Sequence, residues 1–137
     1  MTAAPPLDRG RLLRRGVARR CPVCGGGGLF RRWFEMVERC PRCGFRFERI
    51  EGHWLGSLGM NTIVSFTVLF VVLLVGFVVT WPDPPTGPLI MAGVVTAVVV
   101  PLLFFPFSRT IWTAIDLAMR PLSEKERAEI TRDPQNP

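Results

Sequence analysis

Residues 61–81 read NTIVSFTVLFVVLLVGFVVTW, and their apolar side chains surround the helix axis instead of keeping to one face. A pair of buried valine-rich strands is the competing reading, but strands end after about 4–8 residues at turn signals, and nothing breaks this run. Fourteen Val, Ile, Leu and Phe lie between Ile63 and Val79. They favour membrane insertion by roughly 4 to 8 kcal/mol, against which Ser65, Thr67 and Gly76 subtract little. The segment predicts a transmembrane helix.

Immediately downstream, Pro82, Asp83, Pro84, Pro85, Thr86, Gly87 and Pro88 stop one helix and permit only a tight reversal. Residues 89–108 are again uncharged and long enough to cross a hydrocarbon core of about 30 Å. Pro101 and Pro106 each remove a backbone donor, which predicts a bend near residues 98–101. The two spans form an antiparallel hairpin with both termini on one side. Twelve Arg face five acids in residues 1–53, whereas the loop between the spans has no Lys or Arg; the positive-inside rule puts the termini in the cytoplasm. Trp54 and Trp81 bracket the first span as interfacial anchors.

Composition agrees with this division. The chain has 137 residues with 20% charged, yet residues 52–82 and 84–108 carry no Lys, Arg, Asp or Glu, which excludes an ordinary water-soluble fold. Pro5, Pro6 and seven charges within residues 1–20 exclude a secretory signal peptide there. A preference of sixteen Arg to one Lys fits the coding bias of a GC-rich bacterial genome.

All four cysteines fall in two knuckles, Cys21-Pro22-Val23-Cys24-Gly25 and Cys40-Pro41-Arg42-Cys43-Gly44. A two-residue gap lets two thiolates bind one metal from a single turn, and two such pairs at this separation match a zinc site. Arg19, Arg20, Arg39 and Arg42 stand beside the ligands, where they offset the net negative charge of a four-thiolate zinc centre. Two disulfides are the plain alternative, disfavoured by the reducing compartment the topology implies. A rubredoxin-type iron site is another, since tetrahedral sulfur suits either metal. Four Cys close the coordination shell, so the expected role of Zn²⁺ is structural. Alternation in Phe45-Arg46-Phe47-Glu48 suggests a strand, and the knuckles predict a small β ribbon too poor in apolar residues to fold without metal.

Knuckles, basic ribbon and helical hairpin in this order resemble the bacterial family known as domain of unknown function 983, over about residues 19–121. The resemblance is carried by Cys-Pro-x-Cys-Gly twice, by Leu29-Phe30 after the glycine turn, and by Pro106-Phe107-Ser108-Arg109-Thr110 closing the second span. Glu51-Gly52-His53-Trp54 ahead of the first span looks like an actinobacterial branch. The resemblance implies a zinc-ribbon protein of the bacterial inner membrane; some relatives are encoded near terminal-oxidase assembly genes, which makes a respiratory oxidase a guess at the partner.

The remaining motifs are weaker. Gly52 with Gly56, and Gly93 with Ala97, offer small faces for helix approach. His53, beside Glu51, reads as an interfacial polar residue, with a proton-sensing or second metal position as the sharper alternative. Asn61 stands where it can hydrogen-bond the second span or a partner helix. Arg109, Thr113, Asp116 and Arg120 share one helical face opposite apolar Ile111, Trp112, Ile115 and Met119. They predict an amphipathic extension of the second span along the cytoplasmic surface, with Asp116 pairing Arg120 one turn later; charge pairing at the headgroups and a docking face for the ribbon are its two readings. Ser123 and Glu126 form a capping box. Arg14, Arg15, Arg19 and Arg20, with Arg109 and Asp116, are candidate contacts to anionic lipid headgroups or a partner, at about 1 kcal/mol for each Arg near an anionic leaflet. Trp33, Phe34, Phe45 and Phe47 are the aromatics a nucleic-acid-binding ribbon would stack on bases.

The predicted fold class is an α-helical integral membrane protein: a two-helix transmembrane hairpin with a small N-terminal β zinc ribbon. Its divisions are a basic flexible arm (1–18), the zinc ribbon (19–53), the hairpin with its cytoplasmic extension (54–120), and a short soluble helix with a disordered tail (121–137). No phosphate loop, intramembrane carboxylate pair or nucleophile with a base appears, which argues against an enzyme. The expected function is a non-catalytic accessory or assembly factor for a membrane-protein complex, with the lipid bilayer and another membrane protein or a second copy as partners. A membrane-tethered nucleic-acid-binding or metal-handling module is the alternative.

Overall fold

The computed structural model describes residues 8–131. Four helices appear in chain order: α1 (Arg9–Val17), α2 (His53–Val79), α3 (Thr86–Met119) and α4 (Glu124–Thr131). The cysteine module, residues 18–52, lies between α1 and α2.

Both long helices are apolar enough to cross a membrane, and no residue in the most apolar window of either is buried by the rest of the chain. So much exposed apolar surface marks a molecule that buries it against something other than water. At about 1.5 Å per residue, α2 is about 40 Å long and α3 about 51 Å. Each exceeds its predicted span, because α2 begins at His53 and α3 runs unbroken through Pro101 and Pro106 to Met119. The hairpin closes tightly where glycine permits it. A Cβ at Gly56 would overlap the Trp112 ring, and one at Gly76 would stand 2.6 Å from Leu89 Cδ2.

The extension beyond the second span does not lie free along a surface. Thr110, Thr113, Ala114, Asp116 and Leu117 are buried, since this end of α3 is the pedestal on which the cysteine module and α1 sit. The core there joins Leu12, Leu29, Phe45, Phe47, Ala114 and Leu117, with Ile130 of α4 at its edge. Ser108, Thr110 and Thr113 tolerate burial because their hydroxyls donate back to α3 carbonyls. Within the chain this face carries the cysteine module.

Three expectations are corrected. Of the basic flexible arm predicted over 1–18, residues 1–7 lie outside the described residues, and residues 9–17 form the helix α1. Asp8 caps its first turn by accepting from Gly10 N–H at 3.3 Å, and Leu12 and Gly16 are buried. Gly16 packs so closely that a Cβ there would fall 2.8 Å from Ala114 Cβ and 3.0 Å from Thr110 O. The β ribbon is not formed: among the described residues there is no strand, only isolated antiparallel bridges at Phe30–Met36 and Arg39–Arg46. Phe45 and Phe47 are buried while Arg46 and Glu48 are exposed, so the alternation is real. Finally, Asp116 pairs with Arg49 at 3.1 Å, not with Arg120. The Ser123–Glu126 capping box is present, Ser123 N–H donating to Glu126 Oε2 at 2.8 Å and Glu126 N–H to Ser123 Oγ at 3.3 Å. The predicted disordered tail at 133–137 lies outside the described residues.

Candidate metal centre

The two knuckles are built alike. In the first, Gly25 N–H donates to Cys21 O at 2.8 Å and Cys21 N–H to Gly26 O at 2.9 Å. In the second, Gly44 N–H donates to Cys40 O and Cys40 N–H to Phe45 O, both at 2.9 Å. Gly25 and Gly44 take φ of 73° and 72°, the left-handed region that closes each turn without a Cβ penalty. Gly26 N–H donates to Cys24 Sγ at 3.3 Å, a contact that stabilises negative charge on that sulfur.

All four sulfurs lie within 4.8 Å of one another, and two pairs in contact cross between knuckles: Cys21 to Cys43 and Cys24 to Cys40, each 3.7 Å. A disulfide would need about 2.05 Å. A tetrahedral metal with metal–sulfur bonds of about 2.3 Å requires sulfur–sulfur edges of about 3.8 Å. The cysteines therefore fit one four-coordinate ion shared by both turns. Cys21 and Cys40 are buried and Cys24 and Cys43 half-buried. The hydrogen bond between Cys21 and Cys43, reinforced by burial, pushes Cys21 up, while the same hydrogen bond holds Cys43 below the usual thiol range.

Arginines brace this centre. Arg15 Nη1 donates to Pro22 O at 3.1 Å and Val23 O at 2.8 Å, so α1 clamps the first knuckle. Arg19 is turned inward, its guanidinium carbon 5.1, 5.0 and 5.4 Å from the ring centroids of Phe30, Trp33 and Phe107. Arg42 lies over Gly26, and Arg39 pairs with Glu129 at the surface. Arg14 and Arg20 are exposed, as are Trp54 and Trp81 at 50% and 66%. Arg109 faces the Phe105 ring at 5.7 Å.

Arg49, which no sequence signal singled out, ties the module to both C-terminal helices. Its Nε and Nη2 donate to the two carboxylate oxygens of Glu126 at 2.6 and 2.9 Å, and its Nη1 to Asp116 Oδ2 and to Arg120 O. The Arg49 guanidinium holds the Glu126 carboxyl down to about 2. A second feature is a cleft of about 230 Å³ between module and hairpin, lined in part by Glu38, Glu48, His53, Trp54, Arg109 and Thr113. His53 Nε2 lies 3.5 Å from Thr113 Oγ1. Among the described residues, no group of metal-ligating side chains other than the four cysteines converges.

No curated protein and no solved structure matches the chain. Residues 30–116, more than half of it, match the family model described as Protein of unknown function (DUF983). That match takes in the second knuckle, all of α2 and α3 as far as Asp116, and begins after the first cysteine pair. With the hairpin and second knuckle inside the matched region, the chain belongs to the DUF983 family.

Proposed function

We propose that this protein is a non-catalytic accessory or assembly factor of the bacterial inner membrane, whose zinc-bound module presents a rigid cytoplasmic face to a membrane-protein partner. The observation that carries this reading is the way the module is joined to the hairpin. α1, the module and α4 share one core with the end of α3, and Arg49 bonds α3 and α4 together. Its surface is therefore held at one height and angle to the long helices, which suits a docking face better than a tethered ligand-capturing domain.

Zinc is favoured over iron by the knuckle spacing. Cys21, Cys24, Cys40 and Cys43 would hold it, and a closed four-sulfur shell supplies cross-linking rather than reaction chemistry. Two of the four aromatics available for stacking on bases, Phe45 and Phe47, are buried at 2% and 3%, which weakens the nucleic-acid alternative. The Arg-rich module and the Lys- and Arg-free turn support a cytoplasmic location for both termini. Mild cross-linking in cells, detergent purification and mass spectrometry test the proposal. Enrichment of one membrane complex, lost when the exposed surface of the module is altered, is expected; recovery of RNA or DNA as the main salt-sensitive partner would select the tethered-binder reading instead.

A further inference from the structure

Residues 29–37 form a narrow hairpin whose tip reaches α3. Val37 N–H donates to Leu29 O at 2.8 Å, Arg31 N–H to Glu35 O at 2.9 Å and Glu35 N–H to Arg32 O at 3.2 Å, so the tip is a closed turn and not a loose loop. At that tip Trp33 Nε1 donates to Leu102 O at 2.8 Å. This carbonyl is open for a covalent reason: its helical partner would be the N–H of residue 106, and residue 106 is proline. Phe34 meets the Phe105 ring edge-on, with centroids 5.3 Å apart.

The level of this contact is informative. Leu102 lies seven residues before Arg109, the first charge after the uncharged stretch, or about 10 Å along the helix axis. Leu102 and Leu103 there face outward, 48% and 56% exposed. The module thus reaches down past the charged end of α3 and places two aromatic rings beside apolar surface. Trp33 has its polar N–H satisfied, yet it and Phe34 remain 42% and 51% exposed. Arg31 and Arg32, also exposed, flank them.

We propose that residues 29–37 are a membrane-dipping loop: Trp33 and Phe34 seat at the boundary between headgroups and acyl chains, and Arg31 and Arg32 engage the phosphates of anionic lipids. The occupant is lipid because the exposed rings continue the outward apolar surface of α3 and because paired cations beside aromatic rings match the layered chemistry of a bilayer surface. Arg19, beneath the Trp33 ring, supports the loop from the protein side. The module is then moored to the leaflet at a point separate from the helical hairpin. This inference rests on the reading that α2 and α3 span the bilayer.

The test uses the full chain labelled with fluorotryptophan, in vesicles of phosphatidylethanolamine and phosphatidylglycerol. Trp→Phe variants assign the resonances, and metal content checks that each variant is folded. Fluorine relaxation is measured with a lipid spin-labelled near the top of the acyl chain and, separately, with a water-soluble gadolinium chelate. The Trp33 signal is expected to relax strongly with the lipid label and weakly with the chelate, as Trp54 and Trp81 do. Strong relaxation by the chelate alone, or protection from both agents, would overturn the loop. If Trp33 escapes the lipid label while Trp54 and Trp81 feel it, the loop fails and the spanning reading survives; if all three escape it, both fail.

Discussion

Arg49 and Asp116 are 67 positions apart in the chain, yet Arg49 Nη1 lies 3.1 Å from Asp116 Oδ2, with side chains only 10% and 8% exposed. The contact couples the cysteine module to the last turns of α3, and Glu126 extends it to α4.

Removing one partner of a buried pair leaves the other charge desolvated, which costs about 3–5 kcal/mol. Arg49→Met is expected to destabilise the module and α4 by that order, seen as a lower urea midpoint for protease resistance of residues 19–52 in detergent. Adding Asp116→Leu to Arg49→Met should recover part of the loss, because Asp116 is then no longer a desolvated charge, while Glu126 still lacks its Arg49 partner. Equal stability of Arg49→Met and the unaltered protein would dismiss the pair as decoration.

Glu126 sets a pH dependence. Its folded-state value is lowered from 4.5 to about 2 by the Arg49 guanidinium, so the carboxylate form is the one the fold prefers. The stabilisation is complete above about pH 4.5 and fades as pH falls toward 2. Amide protection factors in 124–131, taken relative to intrinsic exchange at each pH, should fall over that window, and Glu126→Gln should show low protection at neutral pH with the acid step gone. Exchange in 19–47, followed in parallel, separates this from thiolate protonation at the knuckles.

Gly16→Ala puts a good helix former into α1, and by propensity alone would stabilise it by about 1 kcal/mol. The opposite sign is expected, a loss of about 1–3 kcal/mol from overpacking, because the new methyl meets Ala114 Cβ and the Thr110 carbonyl. Ala114→Gly in the same chain should restore part of it. A raised melting temperature for Gly16→Ala alone would show that α1 does not pack as described.

Elemental analysis of the purified protein should return one zinc per chain. Cys24→Ala should lose the metal and expose residues 19–53 to protease, since binding of apparent magnitude about 10–16 kcal/mol is the main source of order in so small a module. Stoichiometric iron would replace zinc in the proposal, and a folded, metal-free module would remove it.

Orientation is checked by chemical labelling. A cysteine at Thr86 is expected to react with a membrane-impermeant maleimide in intact cells, and one at Gln135 is not. The reverse pattern would turn the hairpin over and place the knuckles in an oxidising compartment.

What the sequence determined by itself was local or periodic. The uncharged runs, the proline-rich reversal between them, the Cys-Pro-x-Cys-Gly turns and the Ser123–Glu126 capping box each depend on residues within a turn or two, so composition and spacing suffice to read them. α1 was half legible: Asp8 before Arg9 is a capping signal and Leu12 with Gly16 shares a face, but the arginines around them read as a basic flexible arm. Only the tertiary structure decided that Gly16 meets Ala114, that Arg49 meets Asp116 and that Trp33 fills the carbonyl opened by Pro106. It also decided that buried, alternating Phe45 and Phe47 belong to no sheet. Partners so far apart are selected by how the folded elements stack, and a strand needs a neighbour with consecutive free backbone groups. Alternation along one segment carries no information about whether such a neighbour exists.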